Sequence, residues 1–297
     1  MIDKLEFLLA LARESHFGRA AEACGVTQPT LSAAIKQLED GFGVLLVNRG
    51  SRFQNFTLEG ERVLEWARRI VGDTRAMREE VHSLKHGLSG RLRIAASPMA
   101  LAIIERLTTL YHERHPNVQF TIVAANTEDI FKLLDNLEID AGMSYLTGES
   151  HGRVTGIPLY QERYCLLTAA DAPFGNRDRV KWAEVAQIPL CLLTPDMQLR
   201  RVIDGLLLEA GGAPRPSLES NSMIVLYSHV RTGRWASIMP LRMAATLGLT
   251  DKLRAIPIVE PDASHTIGLL VPSRQPMKPL TAALVSESRR AVQLLAD

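Results

Sequence analysis

The sequence predicts an α/β protein in two parts, a helical N-terminal module and a larger domain of alternating strands and helices. Two observations carry this prediction. The first 58 residues pack several short helical patterns, and one long helical pattern follows, to about His86. After Gly87-Leu88-Ser89-Gly90, apolar β-branched runs recur at Leu92–Ala96, Val118–Ala124, Tyr164–Thr168, Leu190–Leu193, Trp235–Met239 and Ile267–Val271. Most of these runs are separated by helix-length stretches, the pattern of an α/β domain with largely parallel sheets. The glycine-flanked segment is the expected hinge. At 297 residues, against about 150 per domain, the chain is long enough for two domains and a sizeable core.

Within the first part, residues 20–39 read as two helices and a tight turn. Ala20 and Ala21 let helices approach closely, Gly25 tolerates the positive φ of a turn, and Thr27 can cap a second helix that accepts Pro29 in its first turn. Leu31, Ile35 and Leu38 recur at helical spacing and face the core, leaving Gln28, Thr30, Ser32 and Lys36 on the outer face near the helix start. A recognition helix meets a DNA major groove in this way. Gln bonds adenine bidentately, and Thr and Ser reach bases or phosphates. The competing reading is a capped surface helix with its polar face in water. The combined spacing of small residues, glycine and cap favours DNA.

Next come two short strand-like runs, from Gly43 to Thr57, joined by a Gly-containing turn, a plausible wing. It would place Arg49 and Arg52 on phosphates or in the minor groove, for affinity rather than sequence choice. No Asp or Glu occurs between Gly41 and Leu58, and Arg62, Arg68, Arg69 and Arg75 follow. This local basic patch matters because the whole chain, with 34 Lys+Arg against 33 Asp+Glu, has almost no net charge. From Thr57 to about His86 a single helix is expected, with Thr57 as N-cap and Glu59 and Glu61 at the positive end of its dipole. Val63, Ile70, Met77 and Leu84 form one heptad series, and Ala67, Thr74, Val81 and Leu88 the other. Such a seam pairs helices between chains, although a helix packed on its own domain is the alternative. Two recognition helices on one duplex also require two-fold symmetry, so a homodimer, or a dimer of dimers, is expected.

These residues resemble the LysR-type transcriptional regulators over nearly the whole chain. The most specific stretch contains Ser15-His16-Phe17, Ala20-Ala21, Thr27-Gln28-Pro29, Leu31-Ser32, Ile35, Leu38-Glu39, Gly43-Val44, Leu46, Arg49 and Thr57-Leu58-Glu59-Gly60. The resemblance implies a winged helix-turn-helix at 1–58, a linker helix and hinge at 59–90, and an effector-binding domain at 91–297. It also implies two lobes like those of periplasmic binding proteins, one of residues 91–160 and 267–297 and the other of 161–266, with a ligand cleft between them. Double-stranded promoter DNA, a small-molecule effector and RNA polymerase are the partners it implies. Two positions depart from the family pattern: Ala33 stands where Arg is common, and Val47 where Phe is.

In such folds small ligands sit where strands end and helix N-termini begin, because free N–H groups and the helix dipole attract anions. The candidate junctions are Ser97-Pro98-Met99, Asn126-Thr127, Met197-Gln198 and Asn221-Ser222-Met223. Ser97 and Thr127 also match positions where relatives contact effectors. The alternative for each Ser, Thr or Asn is a plain helix cap. A small anionic metabolite is the expected effector.

Other chemistries lack a signal. No HExxH, GxSxG, P-loop or GxGxxG pattern occurs, so no metal, cofactor or catalytic machinery is expected. Hydrophobic residues at 46% and charged ones at 23% exclude wholesale disorder. No apolar run approaches the roughly 18 residues that cross a bilayer, and the start reads as a helix rather than an export signal. Cys24, Cys165 and Cys191 are odd in number and widely separated, as expected of buried thiols in a reducing cytoplasm. The rival from another class is a solute-binding protein or enzyme whose first 90 residues only dimerise.

Overall fold

The computed structural model describes residues 1–49, 53–146, 153–212 and 215–295. They group into two compact units. The first is built from Met1–Gly87, and the second from Leu88–Leu134, Ile139–Ser273 and Leu280 onward, with the short segments Asp135–Glu138 and Arg274–Pro279 grouping with the first.

The first unit contains α1 (Ile2–Glu14), α2 (Phe17–Ala23), α3 (Gln28–Phe42), β1 (Val47–Arg49), β2 (Phe53–Phe56) and α4 (Leu58–His86). Its helices start at side-chain caps. His16 Nδ1 accepts from Gly18 N and Arg19 N, Thr27 Oγ1 from Thr30 N, and Thr57 Oγ1 from Gly60 N. Each cap satisfies amides that the helix itself leaves unpaired. Leu8, Leu11, Ala20, Leu31, Ile35, Leu46, Leu64, Ala67 and Val71 form one buried core. Ala20 and Ala21 are buried where α2 approaches its neighbours, as their size predicts. β1 and β2 pair antiparallel as a wing, with Asn48 Nδ2 donating to Asn55 Oδ1 at 2.7 Å across it. Phe53 packs edge-on against Phe17 of α2 and Phe56, which holds the wing on the helices.

The second unit begins with β3 (Gly90–Ala96), α5 (Leu101–Arg114), β4 (Val118–Ala124), α6 (Thr127–Asp135) and β5 (Ala141–Tyr145). There follow β6 (Val154–Ala169), β7 (Val180–Lys181), α7 (Trp182–Val185), β8 (Cys191–Leu193), α8 (Gln198–Glu209), β9 (Leu218–Ser220) and α9 (Met223–Val230). It closes with β10 (Ser237–Pro240), α10 (Leu241–Thr246), β11 (Leu253–Val259), β12 (Ser264–Pro272) and α11 (Pro279–Leu295).

The strands follow the order β4-β3-β5-β12-β6-β11-β7, with β10 also on β6, while β8 and β9 pair separately. The expectation of largely parallel sheets needs correction. β3 is parallel to β4 and β5, but β12 is antiparallel to both β5 and β6, and β10 and β11 are antiparallel to β6. The reason is the two long strands. β6 pairs with β12 along its first part and with β10 and β11 along its second, so β6 and β12 carry the chain across between the two lobes. The apolar run Tyr164–Thr168 is only the buried end of β6, whose first part alternates with polar residues.

Candidate DNA-binding face and effector cleft

Thr27 caps α3 and also pairs its hydroxyl with that of Thr30 at 2.9 Å. Gln28, Pro29, Thr30 and Lys36 are exposed along the outer side of α3, Ala33 with them, while Ser32 is half-buried. The helix core face is Leu31, Ile35 and Leu38. Arg49 ends β1, and Arg52 lies outside the described residues.

A residue whose role spacing alone did not reveal is Glu39. It is 6% exposed and its Oε1 accepts from the backbone N–H groups of Leu46 at 3.0 Å and Val47 at 3.2 Å. It therefore ties the end of α3 to the entry of the wing. A charged residue one helical turn after Ile35, on the buried face, was the available signal.

On α4, Ile70, Met77, Val81 and Leu84 are exposed, whereas Val63 is partly buried against the core of its own unit. Of the second heptad series, Ala67 is fully buried in that core. The first turns of α4 thus pack at home, and the apolar stripe that remains exposed begins near Trp66 and Ile70. Of the basic patch, Arg62 pairs with Glu65 at 3.4 Å and Arg75 with Glu6 at 3.2 Å.

In the second unit, Ser97, Pro98, Met99, Asn126, Thr127, Met197 and Gln198 line one narrow cavity of about 10 Å³, joined by Tyr145, Leu193 and Leu199. Three strand ends and three helix starts converge there. Asn126 Oδ1 accepts from Asp129 N at 2.8 Å, and the Thr127 hydroxyl pairs with that of Ser144 at 2.7 Å. Ser97 is 3% exposed, and its Oγ has no hydrogen-bond partner among the described residues. The first turn of α8 has no side-chain cap, and Gln198 is braced by Arg201, whose Nη2 donates to it at 2.8 Å. Among the described residues the lining contains no charged side chain.

Asn221, Ser222 and Met223 do not line this cavity. The α9 start is where the sequence puts it, but Met223 is buried in the core, Asn221 is exposed, and Ser222 N donates to Ser220 Oγ in the preceding turn. Arg200 is equally occupied elsewhere, buried and bonded to Asp204, Glu219 and the Leu193 carbonyl.

Tyr145 connects the cleft to the long strands. Its Oη lies 3.5 Å from Tyr164 Oη, which is 2.8 Å from His265 Nδ1. Burial raises both phenols, Tyr164 to about 12, and lowers His265. No group of metal-ligating side chains occurs among the described residues, and no described helix is long and apolar enough to cross a membrane.

The family model for the bacterial regulatory helix-turn-helix protein of the lysR family matches residues 2–61, and that for the LysR substrate binding domain matches residues 85–293. The chain belongs to the LysR family. This LysR-type protein is a DNA-binding transcriptional regulator with an effector-binding domain. It is 30% identical to the Escherichia coli K12 DNA-binding transcriptional dual regulator OxyR, covering 93% of this chain and 91% of that one. It is 28% identical to the hydrogen peroxide-inducible genes activator of Dickeya chrysanthemi, over 99% and 96% of the two chains. Among solved structures, a full-length cysteine variant of OxyR from Pseudomonas aeruginosa superposes with a TM-score of 0.78 at 26% identity, covering 97% of this LysR-type chain and 94% of that one. CbnR in complex with its target DNA shares the fold, with a TM-score of 0.63 at 21% identity and coverage of 98% and 99%.

Proposed function

We propose that this regulator reads promoter DNA through Gln28, Pro29, Thr30 and Ser32 of α3, with Lys36 and the wing arginines Arg49 and Arg52 on phosphates. The observation that carries this reading is the α3 outer face, whose polar residues are exposed from a capped helix start while the opposite face is locked in the core. It works as a homodimer or dimer of dimers through the exposed α4 stripe, acts in the cytoplasm where promoter DNA and RNA polymerase are found, and catalyses no reaction. The domains divide at 1–58, 59–90 and 91–297, with lobes of 91–160 plus 267–297 and of 161–266.

The effector is a small anionic metabolite held between the lobes. Supporting this are the buried, unpartnered Ser97 hydroxyl and the uncapped first turn of α8, where amide donors attract negative charge. A cavity of about 10 Å³ admits such a molecule only when the lobes move apart, so ligand and domain geometry are linked. Peroxide sensing by thiols, suggested by the relatives' names, is disfavoured in this chain. Cys165 and Cys191 are buried and Cys24 half-buried, and burial pushes all three thiols up, Cys191 to about 11. Reactive cysteines need the opposite shift.

The test is binding of the full chain to the DNA upstream of its own gene, across a salt series and against scrambled competitor. Protection of an interrupted inverted repeat is expected. Gln28→Ala weakens operator binding by about 1–3 kcal/mol if its base contact is bidentate, while Lys36→Ala weakens all sequences alike and flattens the salt dependence. Operator affinity equal to that for scrambled DNA, with and without cell metabolites, would remove the reading.

A further inference from the structure

The larger opening in the second unit is not the cleft. A pocket of about 490 Å³ lies against the outer course of β6 and the start of α10, with Leu241 and Val292 as its apolar wall. Its volume is in the range of small-molecule sites. Two lining residues carry buried polar atoms without a hydrogen-bond partner. Glu162 is 1% exposed, and its Oε1 accepts from the backbone N–H groups of Arg163 at 3.1 Å and Arg242 at 3.5 Å. Its Oε2 has no hydrogen-bond partner among the described residues, nor has the hydroxyl of Tyr160, which is 8% exposed and two residues back on the same face of the strand. Burial, and after it the nearby Glu162 carboxylate, pushes the Tyr160 phenol up, so the two groups sense each other without a well-formed bond. Buried polar atoms are ordinarily paired, and one left unpaired is destabilising by about 1–3 kcal/mol.

The pocket also holds a cation. The guanidinium of Arg242 lies 4.9 Å over the Tyr160 ring, a stacked position in which its in-plane N–H groups, not its face, meet a carboxylate. Arg163 is balanced by Asp262 at 3.0 Å. The pocket therefore sets an unpartnered carboxyl oxygen and a guanidinium side by side. A simple anion would suit Arg242 and face Glu162 unfavourably; a simple amine would do the reverse. We propose that this pocket is a second small-molecule site, separate from the cleft, and that it takes a compact zwitterion of the amino-acid type, its ammonium on Glu162 Oε2 and the Tyr160 hydroxyl and its carboxylate on Arg242. Burial raises the Glu162 carboxyl above its ordinary range, and an ammonium at Oε2 would reverse that shift. The site borders the strands that join the lobes, since Glu162 sits opposite His265 in the β6–β12 register, so occupancy would bias the lobe arrangement.

The experiment is calorimetric titration of the full chain with each of the standard L-amino acids, with butylamine and butyrate as half-probes. At least one amino acid is expected to bind with Kd below about 1 mM, and both half-probes about tenfold or more weaker. Glu162→Gln retains an oxygen for the two backbone N–H groups and replaces only the unpartnered oxygen by an N–H donor. It should weaken binding about tenfold or more while operator binding shows that the variant is folded. Arg242→Gln should do the same, and Ser97→Ala in the cleft should leave the affinity unchanged. Absence of binding by every amino acid overturns the proposal. So does undiminished binding in Glu162→Gln, or loss of binding in Ser97→Ala, which would place the ligand in the cleft.

Discussion

Replacing Glu39 tests how the recognition helix and the wing are held together. One oxygen of this buried carboxylate accepts both the Leu46 and Val47 amides, whose residues are 0% and 1% exposed. Glu39→Ala leaves two buried amides without an acceptor, about 1–3 kcal/mol each, or about 2–6 kcal/mol together. Leu45, next in the chain, is 65% exposed, so water reaches part of the gap, and the low end, about 2–3 kcal/mol, is expected. Glu39→Gln keeps an oxygen in place and loses only the charge, about 1 kcal/mol or less. For a unit of this size each kcal/mol lowers the melting temperature by about 4–8 °C. Scanning calorimetry of the full chain should therefore show the transition of the helical unit falling by about 10 °C or more in Glu39→Ala and by much less in Glu39→Gln. Equal stabilities for the two variants, or an unchanged transition in Glu39→Ala, would refute the reasoning, because the carboxylate would then not be satisfying these amides.

Three further outcomes are expected. Gly60→Ala puts a Cβ into the Leu46 carbonyl, so a change that ordinarily favours a helix should here lower stability by about 1–3 kcal/mol; a gain in urea denaturation would contradict the close approach. Met77→Asp with Leu84→Asp should lower the mass seen by sedimentation without lowering the melting temperature, and an unchanged mass would remove the exposed α4 stripe as the dimer contact. Burial depresses His265, beside Tyr164, Tyr145 and Glu162, so its contribution is fully present above the unfolded value of about 6.5 and is lost as the pH falls through the lower folded value. His265→Gln should flatten the decline in stability between pH 7.5 and about 5; a parallel decline in both proteins would show that other groups cause it.

The winged helix-turn-helix was legible because its signals are local. A cap at Thr27, a turn glycine and a 3.6-residue apolar rhythm act within a few residues, and the structure shows each element where those signals place it. The Thr57 cap and the length of α4 were legible for the same reason. Val63 shows the limit: its heptad position is correct, yet whether such a residue faces a second chain or its own core depends on where α1 lies, and no spacing along α4 encodes that.

The cleft shows the same division. Strand-to-helix junctions at Ser97, Asn126-Thr127 and Met197-Gln198 follow from composition, because Ser, Thr and Asn cap helices wherever strands end. That these three meet, while Asn221-Ser222-Met223 stays apart, depends on β6 and β12 running between lobes in antiparallel register. The sequence by itself determined the elements, the capped recognition helix and the hydroxyl-bearing junctions, since propensity, capping and amphipathic period are short-range forces. Only the tertiary structure decided that Glu39 braces the wing, that Tyr145 links the cleft to His265, and that Glu162 and Arg242 share a pocket. Burial and pairing between residues distant in the chain have no local period to reveal them.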